Sequence, residues 1–299
     1  MRLTVRTVLA VVALAAAVTL TVPTLRAQQD VHRTMYVSVL NQAGKPVSGL
    51  TARDFTVYED RIPREVLEAG PATDPSDIAI LVDTSQAAAP YVQDIRPAVA
   101  EFARAMATGG NRVAIISFGD RPTIVVDYTT DPERLEQGAQ RLFAAPDSGA
   151  YLLDAIVETA HGLAKRPISR AVIVGITTEG TEFSNAAATT VTQAVQAAGA
   201  TLDLLSFGPT ATNLMNPPAR ERALVFDRST KETGGRFDHI LTGMALSQTL
   251  TQIGDDLTHQ YRIVYAHPET LIPPKTFSVS VDRPGLSARG TPLRSSRRP

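Results

Sequence analysis

The chain of 299 residues contains no cysteine and no tryptophan, few aromatics, and five histidines (His32, His161, His239, His259, His267) that never cluster. Without cysteine there is no disulfide framework, so the hydrophobic core alone must hold the fold, and a lipid on an N-terminal cysteine is excluded. The scattered histidines form no His-Glu-x-x-His pair. No Gly-x-Ser-x-Gly elbow, P-loop or Gly-x-Gly-x-x-Gly fingerprint is found, so the common hydrolase, nucleotide and dinucleotide signatures are missing. Nor is there a strong excess of either charge. Lysine plus arginine number 29 against 30 acids, which argues against nucleic acid as a partner.

What is present begins with one apolar stretch. Arg2 and Arg6 precede the run from Val8 to Val22, which is followed by Pro23 and Leu25-Arg26-Ala27. A positive start, a short apolar stretch and a small residue at the cut are the parts of a secretory signal peptide; a bilayer span needs about 20 apolar residues. Residues 1–27 are therefore expected to be cleaved and the product to be periplasmic or secreted. Losing Arg2, Arg6 and Arg26 leaves a net charge of −4. No later segment is apolar enough to span a membrane.

Residues 28–70 read as a small β unit. Met35–Leu40 and Asp54–Glu59 carry β-branched and aromatic residues, separated by Asn41-Gln42-Ala43-Gly44-Lys45-Pro46 turn chemistry. Pro71 to Pro75 makes a linker. From Asp77 the texture changes. Ile78-Ala79-Ile80-Leu81-Val82 runs without interruption into Asp83-Thr84-Ser85, as expected of a strand buried on both faces that releases polar groups where ligands bind in open α/β sheets. Helical spacing of Ile95, Val99, Phe102 and Met106 follows, then further strand–helix alternation to His259. Asp131-Pro132 is a helix opening, Ser184 a candidate cap for the alanine-rich helix ending at Gly199, and Gly234-Gly235 a helix stop. The fold class is thus α/β: a doubly wound, mainly parallel, Rossmann-like sheet over residues 77–259. Residues 260–285 return to β alternation, and pairing of the two flanks into one small β domain is expected. Residues 286–299, with Arg294, Arg297 and Arg298, read as a disordered tail.

Several segments together carry a family resemblance. These are Leu50–Asp60, Ile80-Leu81-Val82-Asp83-Thr84-Ser85, Leu153-Asp154-Ala155-Ile156, Thr178-Glu179-Gly180, Glu232-Thr233-Gly234-Gly235-Arg236 and Gln260–Tyr265. In their order and spacing the chain resembles the von Willebrand factor type A (VWA) domain, and as a whole the exported bacterial VWFA-related proteins. The resemblance implies a six-stranded sheet and, at its top, a metal-ion-dependent adhesion site (MIDAS). There an Asp-x-Ser-x-Ser run, a threonine and an aspartate supply the oxygens that a hard cation such as Mg²⁺ prefers.

On that pattern the metal residues are Asp83, Ser85 and Glu179. Ala87 stands where the second serine belongs, Ala150 where the threonine belongs, and Glu179 is one methylene longer than aspartate. The resemblance therefore implies a degenerate site holding no cofactor, or weakly bound Mg²⁺ or Mn²⁺, with Ser148 a possible substitute ligand. In the simpler alternative, Asp83 and Ser85 satisfy loop amides. The function implied is a non-enzymatic, exported, adhesion-type module that binds another protein. The alternatives are a metal-dependent adhesion module and a hydrolase using Asp83 and Glu179 as an acid/base pair.

Overall fold

The computed structural model describes residues 30–168, 170–209, 216–268, 272 and 274–292. The proposed signal peptide and the last seven residues of the tail lie outside them.

In chain order the strands are β1 (Asp30–Asn41), β2 (Phe55–Glu59), β3 (Ile62–Arg64), β4 (Val66–Pro71), β5 (Ser76–Asp83), β6 (Arg112–Phe118), β7 (Pro122–Thr129), β8 (Arg170–Thr178), β9 (Ala200–Phe207), β10 (Phe237–Ile240), β11 (Tyr261–Pro268), β12 (Phe277–Val281) and β13 (Leu286–Pro292). The α-helices are α1 (Val92–Met106), α2 (Pro132–Gln140), α3 (Leu152–Ala164), α4 (Ala188–Ala198), α5 (Pro217–Leu224) and α6 (Gly243–Thr258). Helix α5 runs on through a π-helical turn, Val225–Ser229, into the short helical turn Thr230–Glu232.

The central sheet has six strands in the order β10-β9-β8-β5-β6-β7, all parallel except the last pair. Strands β5, β8 and β9 are buried along their whole length, which is why β5 and β8 are written around near-continuous apolar runs rather than alternations; in β9 the polar Thr201, Asp203 and Ser206 are buried as well. One face packs on α1, α2 and α6 through Ile95, Val99, Phe102, Leu135 and Leu250. The other packs on α3 and α4 through Leu153, Ile156, Val191 and Val195. The expected caps are largely present. The Asp131 carboxylate accepts from the Glu133 and Arg134 amides, with Pro132 in the first turn, and Gly199 ends α4 in the left-handed conformation. Ser184 is a correction: α4 starts later, at Ala188, and the Ser184 hydroxyl accepts from the Asp154 amide in the first turn of α3.

The flanks form one β unit. β1 pairs with β11 on one side and β13 on the other, and β12 pairs with β2. A four-stranded sheet, β13-β1-β11-β4, and a three-stranded sheet, β12-β2-β3, enclose a core of Met35, Val37, Phe55, Val57, Ile263 and Tyr265. The buried Glu59 carboxylate stitches the flanks, accepting from the Arg64 Nε at 3.0 Å and the Tyr265 hydroxyl at 3.1 Å and meeting His267 Nδ1 at 2.7 Å. A second correction follows. Leu286–Pro292, read as the start of a disordered tail, is a strand paired with β1. Its small and polar residues hid a strand whose partner is more than two hundred residues away.

Strand β13 also docks on the α/β domain. Arg289 binds the Asp256 carboxylate of α6, and the Thr291 hydroxyl meets that of Thr201 at 2.8 Å. Behind them Asp203 accepts from the Arg236 amide at 3.0 Å. Burial raises the Asp203 carboxyl from 3.8 to about 6, outweighing the nearby Arg289 and Arg236 guanidiniums. A raised pKa means the folded state holds this proton more tightly than the unfolded chain. Its stabilisation is therefore full below about pH 4 and is lost as pH rises through 6. The gap from 3.8 to about 6 corresponds to about 3 kcal/mol at most. In chemical denaturation from pH 4 to pH 7, Asp203→Asn should lose less stability than the parent; parallel profiles would show that Asp203 does not titrate there.

Candidate functional site

The carboxyl ends of the parallel strands define the top of the sheet. The chain leaves β5 toward β6 on one side, and later returns to β8 on the other. This is the topological switch point at which open α/β sheets form a crevice. Here the crevice is a cleft of about 490 Å³ lined by Ser85, Ala87, Ser148, Glu179, Gly180 and Phe183, among others. Sequence reading placed Asp83, Ser85 and Glu179 at such a site; Ser85 and Glu179 line the cleft, whereas Asp83, the last residue of β5, is buried and does not line it.

Their surroundings differ from a set of waiting metal ligands. Asp83 is 1% exposed. Its Oδ1 accepts from the Ser85 amide at 2.8 Å, and its Oδ2 accepts from the Thr178 amide at 2.8 Å and the Thr178 hydroxyl at 2.7 Å. The Thr177 hydroxyl adds a long contact at 3.4 Å. The carboxylate thus ties the end of β5 to the end of β8 and is charge-compensated by donors of the chain itself. Glu179 engages a different group. Its Oε1 accepts from the Ser206 hydroxyl and lies 3.6 Å from Arg222 Nη2 and 3.8 Å from His239 Nδ1.

Sequence reasoning missed Arg222. It is buried, donates to the Thr178 carbonyl at 2.7 Å and the Gly180 carbonyl at 2.9 Å, and lies over the Phe226 ring at 5.0 Å. A permanent cation therefore pins the backbone on both sides of Glu179. An arginine halfway along a helix carries no local pattern that announces this role. The same holds for Asp120, whose Oδ1 accepts from the Ser148 hydroxyl at 3.1 Å and the Gly149 amide at 3.0 Å. Ser148, considered as a substitute ligand, is thereby engaged. Beside it Asp147 is left-handed, at φ 56°, a conformation that Asp tolerates better than most residues.

The loop after β8 is anchored to α3 from both directions. While Ser184 accepts from the Asp154 amide, the Asp154 carboxylate accepts from the Asn185 and Ala186 amides at 3.2 and 3.0 Å. Glu182, wholly buried beneath, accepts from the Ser184 amide at 3.2 Å, and burial pushes its carboxyl above the usual range. The conspicuous group is the Ser85 hydroxyl, buried and without a hydrogen bond among the described residues.

The fit to a divalent cation can be judged from these donors. Mg²⁺ requires about six oxygens in near-octahedral geometry. Of the five positions in the implied ligand set, Ala87 and Ala150 offer methyl groups, Asp83 is saturated, and Glu179 is paired with Arg222. The Ser85 hydroxyl is buried and has no hydrogen-bond partner among the described residues. No cluster of three or more His, Asp or Glu side chains poised for a metal occurs among the described residues. The set does not fit a tightly held cation.

The rim of the cleft is apolar. Phe183, 48% exposed, stacks on Tyr151 at 5.9 Å between centroids, and its ring occupies the space a side chain at Gly149 would need. Phe143 (65% exposed), Leu241 (65%) and Met244 (84%) lie on other top loops: between α2 and α3, directly after β10, and in the first turn of α6.

Residues 78–181 match the family described as von Willebrand factor type A domain. The α/β fold, the switch-point cleft and this match together define the class: the chain carries a von Willebrand factor type A domain. One solved structure agrees on the fold. Proximal thread matrix protein 1 of the mussel byssus is 14% identical, with a TM-score of 0.51 over 67% of this chain and 50% of its own. This chain therefore spans about half the length of that protein, which in another structure has a zinc-occupied MIDAS motif. The vWF domain of the type V pili tip protein Mfa5 from Porphyromonas gingivalis is 12% identical over 62% of this chain and 96% of that one, with a TM-score of 0.49. A von Willebrand factor type A protein from Catenulispora acidiphila is 12% identical over 87% and 72%, also at 0.49. No curated protein matches the sequence.

The hydrogen bonds of Asp83 make its replacement costly. Asp83→Ala would leave the buried Thr178 amide and hydroxyl without their acceptor, an expected loss of about 2–4 kcal/mol. Arg222→Ala, which frees two carbonyls and the Glu179 charge, should cost a similar amount. Equilibrium denaturation checks both; a change below about 0.5 kcal/mol, typical of an exposed site, would remove Asp83 from this structural role.

Proposed function

We propose that this chain is an exported, non-enzymatic protein-binding module whose VWA domain contacts its partner through the top loops without an obligatory metal. One observation carries the reading: the acids of the cleft are already compensated by the chain's own donors, Asp83 by Ser85 and Thr178, Glu179 by Ser206 and Arg222. The exposed Phe143, Phe183, Leu241 and Met244 then supply apolar contact of the kind that marks protein interaction sites. VWA domains generally serve as interaction and adhesion modules rather than enzymes. Export rests on the leader pattern of residues 1–27. Among the described residues no helix is long and apolar enough to cross a membrane.

A second reading, weak binding of Mg²⁺ or Mn²⁺, is favoured by one feature: the unpartnered Ser85 hydroxyl, two residues beyond Asp83. The hydrolase reading has no such support. Asp83 and Glu179 sit in separate hydrogen-bonded groups, and among the described residues no base reaches the Ser85 hydroxyl.

Two measurements test the proposal. Calorimetric titration of the protein with Mg²⁺ and Mn²⁺ to millimolar concentration should give no saturable heat. The variant Ala87→Ser/Ala150→Thr/Glu179→Asp, which restores the implied ligand set, should bind. Saturable binding by the parent that disappears in Ser85→Ala would establish the metal reading instead. Photo-crosslinking residues placed at Phe183 and Leu241 in the producing cells should capture one partner protein, undiminished by EDTA, whereas the same residue at Lys165, at the opposite end of α3, should not. Capture abolished by EDTA, or equal at all three positions, would overturn contact through the top loops.

A further inference from the structure

Two clefts of the molecule differ in how their charges balance. The larger, about 750 Å³, lies beside Phe226 and Phe237, where the β unit meets the α/β domain. Each cation in its wall is paired within the chain: Lys231 with Asp227, Arg236 with Asp238 and Asp256, and Arg289 with Asp256. That cleft asks for no charged occupant.

The switch-point cleft, of about 490 Å³, is not balanced in this way. Its lining includes two carboxylates, Asp147 and Glu179, and, among the described residues, no lysine or arginine. Glu179 has Arg222 behind it at 3.6 Å. The Asp147 side chain is exposed and has no hydrogen bond or ion pair among the described residues. Next to it Asp120 accepts from the Ser148 hydroxyl and the Gly149 amide, neutral donors that satisfy its hydrogen bonds and leave its charge in place. Carboxylates gathered at a cleft without cations in its wall make the potential inside it negative.

The remaining wall is apolar, with one exception. Ala87, Ala150 and Phe183 line the cleft, and so does Ser85, whose buried hydroxyl has no hydrogen-bond partner among the described residues. A divalent ion gains nothing from two methyl groups and a ring. An organic cation on an aliphatic stem uses both kinds of surface: the head pairs with carboxylate and hydroxyl oxygens while the stem covers apolar groups.

We infer that the switch-point cleft receives a basic side chain, arginine or lysine, of the partner protein, where the implied ligand set would hold a metal ion. The inference rests on the proposed contact through the top loops and supplies the chemistry at its centre. The cationic head pairs with Asp147 beside Glu179, and an N–H of it gives the Ser85 hydroxyl its missing bond. The stem lies along Ala87, Ala150 and the half-exposed Phe183 ring.

The test uses the full chain, in EDTA, and a labelled nine-residue peptide of glycine and serine with a central arginine between two leucines. Companion peptides carry lysine, citrulline (the shape of arginine without its charge) or glutamate at the centre. Fluorescence anisotropy should show saturable binding of the arginine and lysine peptides, about tenfold weaker binding of citrulline, and none of glutamate. Asp147→Asn removes the charge and keeps a residue that tolerates the left-handed backbone at φ 56°. It should weaken the arginine peptide about fivefold and leave the citrulline peptide unchanged. Ser85→Ala should weaken the arginine peptide by a similar factor. Equal affinity for arginine and citrulline, or affinity indifferent to Asp147→Asn, would overturn the basic side chain and leave contact through the top loops standing. No saturable binding of the arginine peptide up to millimolar concentration would overturn it as well, and cross-linking at Phe183 and Leu241 then decides separately whether the top loops meet a partner. Binding of the glutamate peptide once Mg²⁺ replaces EDTA would overturn it in favour of a metal-bridged contact.

Discussion

The bond between the Asp83 carboxylate and Thr178 joins the ends of two neighbouring parallel strands at the point where the chain reverses its direction across the sheet. Strand ends at a switch point diverge, and their loops must be held by something. In a metal site a cation can do this, drawing oxygens from several loops to itself. Here the holding is done within the chain. Asp83 draws in the Ser85 and Thr178 amides, Arg222 gathers the Thr178 and Gly180 carbonyls, and Asp120 fixes Ser148 and Gly149. Each of the three site loops is thus fixed by an ionised side chain aimed at backbone groups, and the cleft keeps its shape through charge-assisted bonds.

This arrangement accounts for the substitutions that look like losses. On the proposed metal-free reading, a methyl at Ala87 and another at Ala150 cost nothing. Glu179 reaches toward Ser206 and Arg222, so its extra methylene serves an ion pair at the edge of the cleft. The top face also carries exposed aromatic and aliphatic side chains, Phe143, Phe183, Leu241 and Met244, on which the proposed apolar contact with a partner rests.

Much of the architecture was legible in the sequence, because its causes are local. The unbroken run Ile78–Val82, the spacing of Ile95, Val99, Phe102 and Met106, and the Asp131-Pro132 cap each carry their signal within a few residues. β10 was not read as a strand, since four residues with Asp238 and His239 among them have no periodicity to offer. β13 was misread as tail because Ser287, Arg289, Gly290 and Thr291 are strand residues only in the company of β1. The site was legible on one side alone. Asp83 and Ser85 stand out where an apolar run stops, and Glu179 came through the family resemblance, whereas the residues that hold the site's loops, Arg222 and Asp120, are distant in sequence and ordinary in context. Ser184 was correctly placed near a helix start but assigned to the wrong helix, because the loop folds back onto α3.

The flanking β unit is more than a pedestal, and the reason is where its charges lie. Asp203 and Asp256 belong to the α/β domain and are deeply buried, and the arginines compensating them come from both units: Arg236 from the residue before β10, Arg289 from β13. Without β13, two buried carboxylates would lose one of their cations, and an unpaired buried charge is among the costliest defects a core can contain. Strand β13 is therefore needed for the electrostatics of a domain that precedes it in the chain. The same junction opens the cleft beside Phe226, whose ring lies under the Arg222 guanidinium that fixes the Thr178–Gly180 backbone. Three side chains in contact thus connect the two clefts: a ring in the wall of one, a cation behind it, and Glu179 in the wall of the other.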